Sequence, residues 1–167
     1  MHGALQRTLG GLSALLLLFT GEAARAIPPP PPDDVRIVAV LDGNTIEVTP
    51  YGDPFQVRLA CIQSLPLQQG TAGLAAKAAL ENLIQPGTWV TLAARRKSSD
   101  GVEIAEIIAA GSTVPINLRL VQDGMAFLEH NASGPCGQDT YKQAELSART
   151  KRLGLWGRSA GSHPIKP

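Results

Sequence analysis

Apolar and polar positions alternate most clearly between residues 35 and 60, and that stretch predicts three strands. "VRIVAVL" (35–41) is a β-rich run, and "DGN" after it is a hairpin turn signal. "TIEVTP" (45–50) sets Ile46 and Val48 against Thr45, Glu47 and Thr49, as a half-buried strand does. After the turn "YGDP" (51–54), "FQVRLA" (55–60) places Phe55, Val57 and Leu59 on one side, so Arg58 points to the other. From Thr71 the period changes. Ala76, Ala79, Leu80 and Leu83 fall at i, i+3, i+4 and i+7, which predicts a helix over 71–85 that "QPG" stops. "TWVTLAA" (88–94) and "VEIAEIIAA" (102–110) read as strands joined by the polar loop "RRKSSDG". "VPINLRLVQDG" (114–124) reads as a short helix ending at Gly124, "MAFLE" as a brief extended piece, and "HNASGPCG" as a loop. Residues 138–154 close the pattern as an amphipathic helix with Tyr141, Ala144 and Ala148 facing inward.

Three strands, a helix, two strands and two helices predict an α+β fold: a five-stranded Greek-key barrel of the OB type with about three helices. Barrels of this kind bind oligonucleotides, sugars or peptides, so the architecture alone does not decide the function.

The ends of the chain read differently. "MHGALQR", the apolar "LGGLSALLLLFTG" and the small-x-small "ARA" before Ile27 predict a secretory signal peptide over 1–26. The apolar run is short for a membrane span and no second one follows, although an uncleaved anchor is the alternative reading. Pro28 to Pro32 favour an extended polyproline spacer, so 27–34 is expected to be a linker and 35–157 the folded domain. Residues 158–167 are expected to form a flexible tail. The implied location is periplasmic or extracellular, with no membrane span in the mature chain.

Charge changes the picture slightly. Of 15 basic and 14 acidic residues, the leader removes Arg7, Arg25 and Glu22, leaving a nearly neutral mature chain. Strong nucleic-acid binders usually carry a basic excess, because neutralising phosphates supplies most of their non-specific affinity. Arg95, Arg96 and Lys97 cluster in the expected loop, where the balanced charge favours a solvated hairpin tip over a nucleic-acid contact. Lys142, Arg149, Lys151 and Arg152 lie on the last helix, and the last three suit its C-terminal dipole. Cys61 and Cys136 would meet an oxidising compartment after export. A bridge between them would close about 75 residues, worth roughly 4 kcal/mol in the chain-entropy picture; two buried free thiols are the alternative. His130 and His163 are isolated, no Cys/His spacing suits zinc, and "NAS" (131–133) matches a glycosylation sequon.

Taken in order, "V-x-V-x-DG-x-T-I-x-V", "V-R-L-A-x-I", "DG…I-A-x-I", "I-N-x-x-L-V-x-x-G-x-A" and "Y-x-x-A-E-x-x-A-R…LGLW" resemble the secreted thermonucleases of the staphylococcal nuclease type, from about Val35 to Trp156. The resemblance implies a Ca²⁺-dependent phosphodiesterase site on one face of the barrel. Acidic side chains hold the metal there, a glutamate positions or activates water, and two arginines clamp the phosphate. The family's "DGD-T" turn reads "DGNT" in this chain: Asp42 stands, but Asn44 occupies the metal-binding aspartate position. Arg58 stands at the first clamp position, Gln63 at the second metal aspartate, and Ser64 where a backbone carbonyl ligand is expected. Pro66 falls at the catalytic glutamate and Val102 at the second clamp arginine.

Calcium is a hard cation that takes several oxygen ligands, preferably anionic. At an effective dielectric near 20, a unit charge pair about 4 Å apart is worth roughly 4 kcal/mol, and a divalent ion doubles it. Losing two carboxylates is therefore expected to lower calcium affinity by orders of magnitude. A missing base and a missing clamp each remove about 10²-fold or more in rate. The sequence thus predicts a thermonuclease-like domain that has lost its catalysis, needs no cofactor, and serves as a binding or structural module. Its ligand groove is expected around Asp42, Asn44, Arg58, Gln63 and Ser64, with a single-stranded nucleic acid, a peptide or a glycan as candidate partners. The alternative is a Ca²⁺-dependent endonuclease with an altered site, using Asp42, Asn44 and Arg58.

Overall fold

The computed structural model of the protein describes residues 33–129 and 136–157. The leader, Pro28 to Pro32, the sequon at 131–133, His130, His163 and the tail at 158–167 lie outside the described residues. Strands β1 (Asp34–Val40), β2 (Thr45–Thr49) and β3 (Phe55–Leu59) form the expected antiparallel meander. A two-residue strand, β4 (Ile62–Gln63), and a 3₁₀ turn at Leu67–Gln69 lead into helix α1 (Thr71–Leu83). Strands β5 (Trp89–Lys97) and β6 (Glu103–Ala109) then form a hairpin. Helix α2 (Ile116–Gln122), strand β7 (Phe127–Leu128) and helix α3 (Gln138–Thr150) complete the chain.

The barrel closes in the order β1-β2-β3-β6-β5, with β5 returning to β1. Every pairing is antiparallel except β3 with β6, which is parallel and joins the first half of the chain to the second. Closure leaves the five main strands without a free edge, the usual remedy for exposed backbone donors and acceptors. The inward residues fill the barrel: Ile37, Ile46, Val48, Val57, Leu59, Leu92 and Ile107 are all buried. Each methylene so buried contributes about 0.8 kcal/mol.

Three features depart from the sequence reading. Asp33 and Asp34 belong to the fold rather than to the linker. Asp34 pairs with Thr91 at the start of β1, and the Asp33 carbonyl accepts the Leu92 N–H at 2.8 Å. The "RRK" triplet is strand and not hairpin tip, because β5 runs on to Lys97. Its alternation is interrupted by a bulge: Ala93 pairs with Glu106, Arg96 with Ile104, and Ala94 between them takes φ +52°. Finally, the extended piece after α2 has a partner, β4, paired as Ile62 with Leu128 and Gln63 with Phe127.

Asn117 locks α2 to the barrel. Its Oδ1 accepts the Ile107 N–H at 2.9 Å, and its Nδ2 donates to the carbonyls of Ala60 and Ala105 at 3.0 and 3.1 Å. These groups lie where β3 has ended and β6 continues, so the buried amide stands in for a missing strand neighbour. On the other side, α3 buries Tyr141, Ala144 and Ala148, and the Tyr141 hydroxyl donates to Glu106 Oε1 at 2.6 Å. Trp156 closes the C-terminal side, edge-on to Phe127 at 4.9 Å with the Arg149 guanidinium over its ring. Cys61 and Cys136 form a disulfide, with Cα atoms 6.4 Å apart, that ties the start of α3 to the end of β3. Among the described residues no helix is long and apolar enough to cross a membrane.

Candidate functional site

The loop between β1 and β2 is short because its polar side chains replace backbone partners. The Asp42 carboxylate accepts the Asn44 N–H at 2.8 Å, and the Leu41 N–H donates to the Thr45 carbonyl at 2.9 Å. Such Asx-type turns satisfy the backbone locally and fix the direction of the next strand. The Asn44 carbonyl then accepts the Leu59 N–H at 2.8 Å, which docks the turn on the end of β3. Asn44 also engages with its side chain: Nδ2 donates to the Ile62 carbonyl at 3.4 Å, and Oδ1 accepts the Thr45 hydroxyl at 3.5 Å.

Close packing holds this corner together. Gly43 lies so near Ser64 and Ala76 that a Cβ there would collide with the Ser64 hydroxyl. Gly73 of α1 is pressed against the Pro66 carbonyl and likewise leaves no room for a side chain. The helix thus supports the segment 63–66 from behind. Ser64 Oγ is buried without a hydrogen-bond partner, while the Gln63 and Pro66 side chains face solvent. Cys61 precedes this segment with φ +65°, a left-handed conformation costing about 1–2 kcal/mol for a residue with a Cβ. The disulfide to Cys136 and the Cys61 carbonyl, which accepts the Glu129 N–H at 3.0 Å, hold it there.

Asp42, Asn44, Arg58, Gln63 and Ser64 are therefore gathered at one end of the barrel, where β1 and β3 finish. Arg58 points outward from β3 between the buried Val57 and Leu59. The barrel register aligns Thr45, Arg58, Ile104 and Arg96 as a row across β2, β3, β6 and β5. Neither Asp42 nor Glu103 is bonded to Arg58. Asp42 caps its own turn, and Glu103 is bonded to Arg95. Asp100, in the β5–β6 loop, feels Arg58 through space. The Asp100 carboxylate is held below its ordinary range, first by the Ser98 hydroxyl and the loop backbone and last by Arg58. Val102 lies just before β6, and its carbonyl accepts the Ser98 N–H at 2.9 Å.

Arg95 is engaged by two acids. Its Nε donates to Glu103 at 2.9 Å and its Nη1 to Asp33 at 3.0 Å. Glu103 is buried, so the pairing is what keeps a carboxylate tolerable there, and the hydrogen bond to Glu103 is the main cause that raises Arg95 above its usual value. A depression of about 490 Å³ opens beside the pair, lined by Phe55, Gln56, Arg95, Lys97, Val102 and Glu103. The trio escaped the sequence reading because Asp33 stands 62 residues before Arg95 and was assigned to the linker, and Arg95 to a loop. Asn117 had a local signal, a lone amide in the apolar run "INLRLV".

A divalent cation at this corner would need anionic oxygens. The described residues contain no group of three or more His, Cys, Asp or Glu side chains able to hold a metal ion. Asp42 is the acid of the corner, and it already accepts a backbone N–H. The residues present do not fit the calcium ion that the resemblance implies.

Comparison with known families matches residues 56–158 to the family described as staphylococcal nuclease homologue. Comparison with curated proteins finds no match.

Proposed function

Since the chain belongs to the staphylococcal nuclease homologue family, we propose that it is an exported member whose metal-dependent phosphodiesterase chemistry is gone, acting as a binding or structural module through the barrel face around Arg58. The observation that carries this reading is the state of Asn44. At the position of a metal aspartate it is an amide, and its nitrogen is spent on the Ile62 carbonyl. Gln63 repeats the substitution on β4, and Pro66 offers nothing that could take a proton from water. With Val102 in place of the second clamp arginine, the corner has neither the base nor the charge that phosphodiester cleavage uses. No catalytic step is therefore assigned to these residues.

Export is supported by the N-terminal pattern and by the disulfide, since disulfides persist in oxidising compartments. The face that is left has one outward arginine of family type and a rigid backing, which suits recognition better than turnover. The test is incubation of the purified chain with single-stranded DNA and with RNA, in calcium or in EDTA. No calcium-dependent cutting is expected. Cutting that disappears in Arg58→Ala would overturn the reading in favour of an altered nuclease.

A further inference from the structure

Cys61 is the joint between two sheets. β3 ends at Leu59 in the barrel, β4 begins at Ile62 in the two-stranded sheet with β7, and only Ala60 and Cys61 lie between. Ala60 is fixed on the barrel side: its N–H donates to the Ala105 carbonyl at 2.8 Å, and its carbonyl accepts the Asn117 amide at 3.0 Å. The change of direction is therefore made at Cys61, with a φ of +65° that few residues bearing a Cβ adopt. The contacts that shape the ligand corner from this side all come after that joint. Ile62 pairs with Leu128 and offers its carbonyl to Asn44 Nδ2, Gln63 pairs with Phe127, and Ser64 packs against Gly43. A two-residue ladder and a hydrogen bond of 3.4 Å are weak restraints. The firm restraint is the bond to Cys136, which grips the joint residue itself. Helix α3 holds the small sheet at a second point as well, where Glu145 Oε1 accepts the Leu128 N–H at 3.0 Å.

We infer that the Cys61–Cys136 bond positions the ligand corner: it keeps Cys61 left-handed, and the arrangement of Asn44, Gln63 and Ser64 belongs to the oxidised chain alone. The inference deepens the binding-module reading, and rests on it in taking this corner as the ligand face. When the bond forms, the two thiols pass two electrons and two protons to a small disulfide such as oxidised glutathione, which leaves as two thiols. In the finished fold Cys61 is 1% and Cys136 5% exposed, so an outside thiol has little access to either sulfur. The bond is thus a latch set once, on folding in an oxidising compartment, and the corner takes shape with it. A link that only restricted the unfolded chain would stabilise barrel and corner alike. Placed at the joint, it serves the corner more than the barrel.

Two double variants separate these roles. Cys61→Ser/Cys136→Ser and Cys61→Gly/Cys136→Ser both lack the bond across a sequence separation of 75, but only glycine takes a positive φ freely. The purified chain and both variants are compared by the side-chain amide signals of Asn44 and Gln63. Hydrogen exchange is followed at Glu129, whose N–H donates to the Cys61 carbonyl, with Leu92 and Ile107 as barrel references. In the serine variant the Asn44 signal should move, and Glu129 should exchange about tenfold faster or more relative to the barrel. In the glycine variant both should return to their native values. Native corner signals in a folded serine variant overturn the inference, because the bond then serves stability alone. Loss of those signals in the glycine variant overturns it too, since the left-handed joint is then not what the bond supplies. If the serine variant does not fold, a folded glycine variant with a native corner supports the inference, and two unfolded variants overturn it. Calcium-dependent cutting by the native chain is a separate result, which would sink the binding-module reading and leave these signals unchanged.

Discussion

Asn117 and Tyr141 show how single polar groups hold this barrel to its helices. Asn117 satisfies three backbone groups at once, so Asn117→Leu would keep the volume and strand all three. The expected loss is about 3 kcal/mol, read as a lower midpoint in urea unfolding with little change in slope. Tyr141 responds to pH. Burial first, and then Glu106, raises the phenol well above its ordinary value near 10. Below pH 10 the hydroxyl is protonated in both folded and unfolded chains, and its contribution is intact. Above pH 10 the unfolded chain releases the proton while the folded chain retains it, so stability falls as pH rises. Unfolding measured from pH 8 to 11 should show that decline, and Tyr141→Phe should reduce it. At this scale the amide in "INLRLV" was a signal the sequence reading passed over, a polar residue set among apolar neighbours. The sequence was silent on partners such as Arg95 and Asp33, which only the closed barrel brings together.

Elements were legible in proportion to their length. The five main strands and three helices each repeat their apolar period often enough to be recognised, and all eight form. β4 and β7 have two residues each, too few to show any period, and their pairing is a tertiary fact. The end of β5 was misread for a related reason: the bulge at Ala94 breaks the alternation, so "RRK" looks like loop. The disulfide acts on the same scale, because it pins the α3 start beside the left-handed Cys61 that ends β3. With a sequence separation of 75, its removal should cost roughly 4 kcal/mol. Denaturant unfolding of the native chain with and without reductant should show that gap, and Cys61→Ser/Cys136→Ser should abolish the dependence on reductant.

For the whole molecule, barrel and site stand differently with respect to sequence. The barrel follows from periodicities that any apolar residues of suitable size would satisfy, and the family match over residues 56–158 agrees with it. The corner at Asp42, Asn44, Ser64 and Gln63 is set by identities. There the chain has the geometry of a turn, the glycines packed against Ser64 and Pro66, an outward arginine, and the amides of Asn44 and Gln63.

The parallel seam between β3 and β6 has an outcome for biogenesis. Everything up to the middle of the chain can zip into a local meander, but the cylinder cannot shut until Glu103, Ile104 and Ala105 arrive beside Val57, Arg58 and Leu59. A product truncated ahead of β6 would carry raw β3 and β5 flanks, competent to pair with a second such molecule. Proteolytic nicking or premature termination in that interval should therefore yield oligomers rather than soluble half-barrels.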